Sequence, residues 1–145
     1  MKYMLKIALL TSLVAVFSTP ALAQSSEPDR ADTPPSHTFV KKRYNIDGTW
    51  DISKVNGLYV LNFHDDFKTK GGPDLKVFLS KKPLAALNGS NVTPISVKLG
   101  VLKSNHGAQS YTISPQINLS EYKSIVIHCE VYSILWGGFD IAENL

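Results

Sequence analysis

The chain has 145 residues, 43% of them apolar and 19% charged, a balance that suits one globular domain and not a disordered chain. Removing Lys2 and Lys6 with the leading segment leaves 13 of the 15 basic residues against 12 acidic ones, so the formal charge of +3 falls to about +1. Near neutrality leaves no electrostatic footprint for nucleic acid, which excludes polyanion binding as a function class.

Residues 1–23 have the layout of a secretory signal. Lys2 and Lys6 supply a positive start, residues 7–17 an apolar run, and Ala21-Leu22-Ala23 a small-x-small cleavage site before Gln24. The competing reading is a membrane anchor, but the run is about half of the roughly 20 residues that a spanning helix needs. No later run is apolar enough to span, so no membrane span is expected after cleavage. A cleavage site of this type looks bacterial and favours a periplasmic or secreted location. Cys129 is the only cysteine, so neither an intramolecular disulfide nor a lipid-bearing cysteine after the signal is expected. Residues 24–43 are polar, contain Pro28, Pro34 and Pro35, and end in the basic cluster Lys41-Lys42-Arg43. They read as a flexible leader with a solvated flank, ahead of one domain over residues 44–145.

From Tyr44 onward the pattern is strand after strand. Trp50 and Ile52 alternate with Asp51 and Ser53 as in a half-buried strand. Residues 58–63 are apolar on both parities, as in a doubly covered strand. Residues 64–73 read as a loop, followed by Leu75, Val77 and Leu79 alternating with Lys76, Phe78 and Ser80. A Pro- and Asn-containing connection, with at most one short helix over residues 82–91, precedes Val97, Leu99 and Val101. Asn105-His106-Gly107 forms a turn into residues 110–113. Residues 124–136 make the longest strand candidate, ended by Gly137-Gly138. The fold class expected is all-β, an antiparallel sandwich or barrel-like domain.

Parity along that last strand places Ile125, Ile127, Cys129, Val131 and Leu135 on one face and Val126, His128, Glu130, Tyr132 and Trp136 on the other. The first face is the more apolar, so Cys129 points to the core, where a thiol behaves as a small inert hydrophobe. His128 points away from it and cannot act directly as its base. The histidines show no metal-binding spacing; three imidazoles converging in space could hold copper or haem, but nothing requires it, and the cofactor stays open. Asp65, Asp66 and Asp74 flank Gly71-Gly72-Pro73 without the spacing of a calcium loop, and Asp74 is expected to bond backbone N–H groups of the turn. There is no Gly-x-Ser-x-Gly element, phosphate loop or His-Glu-x-x-His pair, so a stand-alone enzyme is not expected.

Three blocks carry a family resemblance. They are Gly72-Pro73-Asp74-Leu75 running into Val77, Leu79 and Ser80; Leu99-Gly100-x-Leu102-Lys103 followed by Gly107-x-Gln109-x-Tyr111; and Ser124-Ile125-Val126-Ile127-x-Cys129. Together they resemble the DM-thirteen domain, a secreted module also described as an electron-transfer domain, over roughly residues 44–145. The resemblance implies a β-sandwich-like fold, an extracytoplasmic location and a redox role centred on Cys129. His128 stands where that family often has tryptophan, Trp136 where it has phenylalanine, and Phe139 where a small residue is usual.

Two functions from different classes follow. One is a redox accessory domain serving an extracytoplasmic redox or envelope partner, with Cys129 as the redox group and His128 as a candidate ligand beside it. The other is a non-catalytic envelope binding module that presents Tyr132 and Trp136 and keeps Cys129 structural.

Overall fold

The computed structural model describes residues 37–141; the signal-like segment and most of the polar leader lie outside them. The first strands are β1 (His37–Thr38), β2 (Val40–Lys41), β3 (Ile46–Asp47), β4 (Thr49–Val55), β5 (Leu58–Phe63) and β6 (Lys68–Thr69). They are followed by β7 (Leu75–Ser80), β8 (Ser96–Val101), β9 (Gln109–Thr112), β10 (Ser124–Cys129) and β11 (Ile134–Asp140).

Alternation makes β4 and β5, and the turn between them fixes their register. Asn56 and Gly57 both have positive φ (49° and 82°), the two-residue hairpin turn whose twist matches the strands, and Val55 pairs with Leu58. One sheet has the order β1-β4-β5-β9, a second β2-β11-β10-β7-β8, and β3 with β6 forms a small ribbon. Every strand pair is antiparallel. Trp50, Leu61, Phe63 and Tyr111 of the first sheet meet Val77, Leu79, Ile125, Ile127 and Phe139 of the second in the main core. Trp50 and Phe139 stack across it at 3.6 Å between ring centroids. The expected all-β sandwich is the fold observed.

A second, smaller core lies on the outer face of the second sheet. Phe78, Val126 and Leu135 are covered there by Leu84, Leu87 and Val92, carried on a 3-10 turn (Leu84–Ala86) and a helical turn (Val92–Ile95). β7 and β10 are thereby buried on both faces, and each fully buried Ile or Val of β10 contributes about 1.5–3 kcal/mol relative to exposure.

The structure corrects the expected strands and helices in five places. In β5, expected to be doubly covered, only Leu61 and Phe63 are buried, because its other face joins a polar surface through Asn62, Asp51 and Ser53. The expected long strand over residues 124–136 is a hairpin, β10 and β11, in which Cys129 pairs with Ile134 around a tight turn. Gly137 and Gly138 lie inside β11 rather than ending a strand: a Cβ on Gly138 would stand 2.3 Å from the Ile125 carbonyl oxygen. Residues 37–41, assigned to the flexible leader, are strands, with His37 opposite Trp50 and Val40 opposite Gly138. Helical turns occur at Val92–Ile95 and Leu119–Glu121 besides the one at Leu84–Ala86, more than the single helix expected.

Candidate functional site

Cys129 is the last residue of β10 and is fully buried, its ladder partners being Leu75 and Ile134. It belongs to the main core with Ile127, Leu75 and Trp136 and is a free thiol. The next residue, Glu130, begins the turn of the hairpin, and Val131 and Tyr132 at its tip are 62% and 65% exposed. The thiol faces the main core, while the backbone immediately after it opens into an exposed turn.

On the outer, His128 face of the sheet a compact charge network ties the start of that turn to β7. The Lys76 ammonium contacts the Asp74 carboxylate at 3.0 Å and bonds Glu130, while the Glu130 N–H donates to the Asp74 carbonyl at 3.1 Å. The hydrogen bonds that the ammonium donates to Glu130 and then to Asp74 raise the Lys76 pKa, and the Lys76 bond holds the Glu130 carboxyl below its ordinary value. Asp74 thus anchors Lys76 by its side chain and Glu130 by its carbonyl, rather than bonding backbone N–H groups with its carboxylate as expected.

The family-like blocks position this strand through close packing. A Cβ on Gly72 would stand 2.9 Å from the Trp136 ring and 3.1 Å from Leu75, so the Gly72-Pro73 segment lies directly on the indole. The Trp136 ring nitrogen donates to the Lys70 carbonyl at 3.0 Å, and Leu75 is the register partner of Cys129. Gly107 takes φ 78° where a side chain is strained, and its N–H donates to the Phe67 carbonyl. The Gln109 side-chain oxygen accepts from the Lys103 N–H, the Ser104 N–H and the Tyr111 hydroxyl at 3.0, 3.3 and 2.7 Å. Burial raises the Tyr111 pKa, and a bond from the Lys103 backbone opposes it. Gly107, Gln109 and Tyr111 therefore clamp the 103–107 turn to β9, while Gly100 leaves space for the Tyr111 ring at 3.3 Å. They do not surround Cys129.

His128 is also fully buried, but on the opposite face of β10, where it packs edge-on against Phe78 at 5.8 Å. Neither ring nitrogen has a well-aligned hydrogen-bond partner; burial lowers its pKa, and the Glu130 charge, a poorly aligned bond to the Ile134 carbonyl and the Asp74 charge oppose it only in part. Because Cys129 and His128 lie on opposite faces, they do not form a ligand pair for haem or copper. Among the described residues no three His, Cys, Asp or Glu side chains are placed to hold a metal ion. Asp66 is engaged by the Thr49 N–H and hydroxyl, which lower its pKa, so it does not join Asp74 in a calcium site. His64 bonds Asp51 at 2.9 Å on the outer face of the first sheet, His106 lies against Asn105 at 2.9 Å, and His37 stacks on Trp50 at 4.5 Å.

The aromatic face suggested by parity is not formed. Trp136 is 4% exposed and packs on Tyr44 at 4.1 Å in the main core, so only Tyr132 stands out. A register shift after Ile127 makes Trp136 the extra residue of a bulge in β11, turning it inward and Leu135 outward. The Lys76 network was not foreseen; its one trace in the sequence is a lysine inside an apolar strand.

The family model described as Electron transfer DM13 matches residues 38–139, and the chain belongs to that family. No curated protein and no solved structure matches the chain.

Proposed function

We propose that this member of the Electron transfer DM13 family is an exported redox accessory domain whose Cys129 thiol is shielded at rest and oxidised when a partner opens the hairpin tip. The observation that carries the reading is the position of Cys129: fully enclosed, yet one residue from an exposed turn pinned by Lys76, Asp74 and Glu130. Elements with few buried contacts open locally at much lower cost than the whole domain unfolds. In the opened state the sulfur attacks one oxygen of a peroxide, the O–O bond breaks, and the leaving hydroxide takes the thiol proton as water. Two electrons pass from sulfur to oxygen and Cys129 becomes a sulfenic acid. With no second cysteine in the chain, the thiol that resolves it comes from another molecule, a secreted or periplasmic partner.

The test is sulfenic-acid trapping with dimedone after peroxide treatment of the exported protein and its Lys76→Met variant. Adduct at Cys129 in the wild type, formed faster in the variant, supports the reading. Adduct in neither protein rejects it. A structural thiol in a binding module is the second reading, favoured by the complete burial of Cys129 among apolar neighbours. Among the described residues no helix is long and apolar enough to cross a membrane.

A further inference from the structure

A groove of about 520 Å3 lies on the outer side of the second sheet, between the basic arm and the hairpin. Its apolar surface comes from Leu87, Ile134 and Leu135, and Lys42 and Arg43 stand at its rim. Neither cation has an ion-pair partner among the described residues, and no described carboxylate lines the groove. The Arg43 guanidinium lies 5.9 Å from the Tyr44 ring centroid, but neither positive charge is neutralised by a described carboxylate, and two such charges beside apolar groups select for an anionic head carried on an apolar body.

Both walls are fixed in advance. The N–H groups of Lys42, Arg43 and Tyr44 all point to the Trp136 carbonyl, at 3.1, 3.0 and 3.4 Å, which pins the arm by its backbone and leaves its side chains free. On the other side Gly89 lies against Ser133 so closely that a Cβ would fall 1.7 Å from the Ser133 carbonyl oxygen. Ser133 itself has φ 52°, a left-handed conformation that is costly for serine and that here sits in the groove wall.

We propose that this groove is a binding site for a small amphiphilic anion, its head held by Lys42 and Arg43 and its apolar chain laid over Ile134 and the narrow exposed edges of Leu87 and Leu135. The site does not depend on the redox reading of Cys129.

The probes are octanoate below its micelle concentration, acetate as the head alone, and octyl glucoside as an uncharged molecule with the same chain. Each is titrated into the isotope-labelled mature protein and followed by amide shifts. Octanoate is expected to shift residues 42–44, 87–89 and 133–135, and to bind at least roughly tenfold more tightly than either control. The Lys42→Glu/Arg43→Glu variant is expected to weaken octanoate binding at least roughly tenfold with an unchanged melting temperature, since the pinning contacts are backbone groups. If that variant unfolds, Lys42→Gln/Arg43→Gln serves, with a smaller loss of binding expected. Equal binding of acetate or octyl glucoside, octanoate shifts elsewhere on the surface, or undiminished binding by a folded charge variant overturns the proposal.

Discussion

Replacing His128 by leucine should stabilise the protein, and increasingly so as the pH falls. The wild-type ring is fully buried, its one approach to a partner is a poorly aligned bond to the Ile134 carbonyl, and the acceptor nitrogen has lost water with nothing in return. An unsatisfied buried polar group costs about 1–3 kcal/mol. Leucine forfeits the edge-on contact with Phe78, worth about 0.5–1.5 kcal/mol, so a net gain of about 1 kcal/mol is expected at about pH 8. The pH dependence has a definite sign. Burial depresses the folded-state pKa below 6.5, so the folded ring stays neutral while the unfolded ring takes up a proton. Wild-type stability is therefore complete above 6.5 and declines by at most about 1.4 kcal/mol per pH unit between that value and the folded pKa. The charged groups near the ring, Lys76, Glu130 and Asp74, are bound to one another, and the attractions of Glu130 and Asp74 oppose the burial effect without reversing it. Glu130, depressed from 4.5, loses its contribution only in more acidic solution, so the two limbs separate. Urea unfolding of both proteins at about pH 8, 6.5 and 5.5 measures the gap. A gap that stays constant, or a variant less stable at every pH, refutes the view that the imidazole is buried neutral and unpaired.

Gly138→Ala places a Cβ 2.3 Å from the Ile125 carbonyl oxygen within the β10–β11 ladder and should lower stability by about 1–3 kcal/mol, read from the urea midpoint. Gln109→Ala leaves the Ser104 N–H without its acceptor and the Lys103 N–H with the Tyr111 hydroxyl alone, and should cost about 1–3 kcal/mol, with exchange of the Ser104 amide accelerated most. Cys129→Ser puts a hydroxyl without a full partner among apolar side chains; a loss of about 1–3 kcal/mol in thermal or chemical unfolding is expected, together with disappearance of the dimedone adduct.

Much of the sandwich was legible because alternation is a local signal. Trp50 and Ile52, then Leu75, Val77 and Leu79, carry it, and the inward parity of Ile125, Ile127 and Cys129 followed from the same rule. The hairpin was hidden because the turn at residues 130–133 contains neither Gly nor Pro, and Ser133 adopts its positive φ without the usual residue type. Once that turn was missed, the bulge that sends Trp136 inward could not be counted, and an aromatic surface was expected where an indole is buried. The pairing of His37 and Val40 with distant strands rests on two-residue contacts and on the stack with Trp50, which no local pattern encodes. Around Cys129 the thiol itself was legible. The network of Lys76, Asp74 and Glu130 that pins the adjoining turn was not, because Glu130 is 54 residues from Lys76 in the chain.

Native-state alkylation decides whether the buried Cys129 thiol is reached by local opening of the adjoining turn. The labelling rate of folded protein is compared with that of the denatured chain, across low urea concentrations and in the Lys76→Met variant. The account predicts labelling far slower than in the denatured chain, nearly independent of urea at low concentrations, and severalfold faster in the variant. Labelling as fast as in the denatured chain would contradict burial. A rate that tracks global unfolding at every urea concentration, unchanged by Lys76→Met beyond its effect on global stability, would contradict the opening turn and leave Cys129 a structural residue of the core.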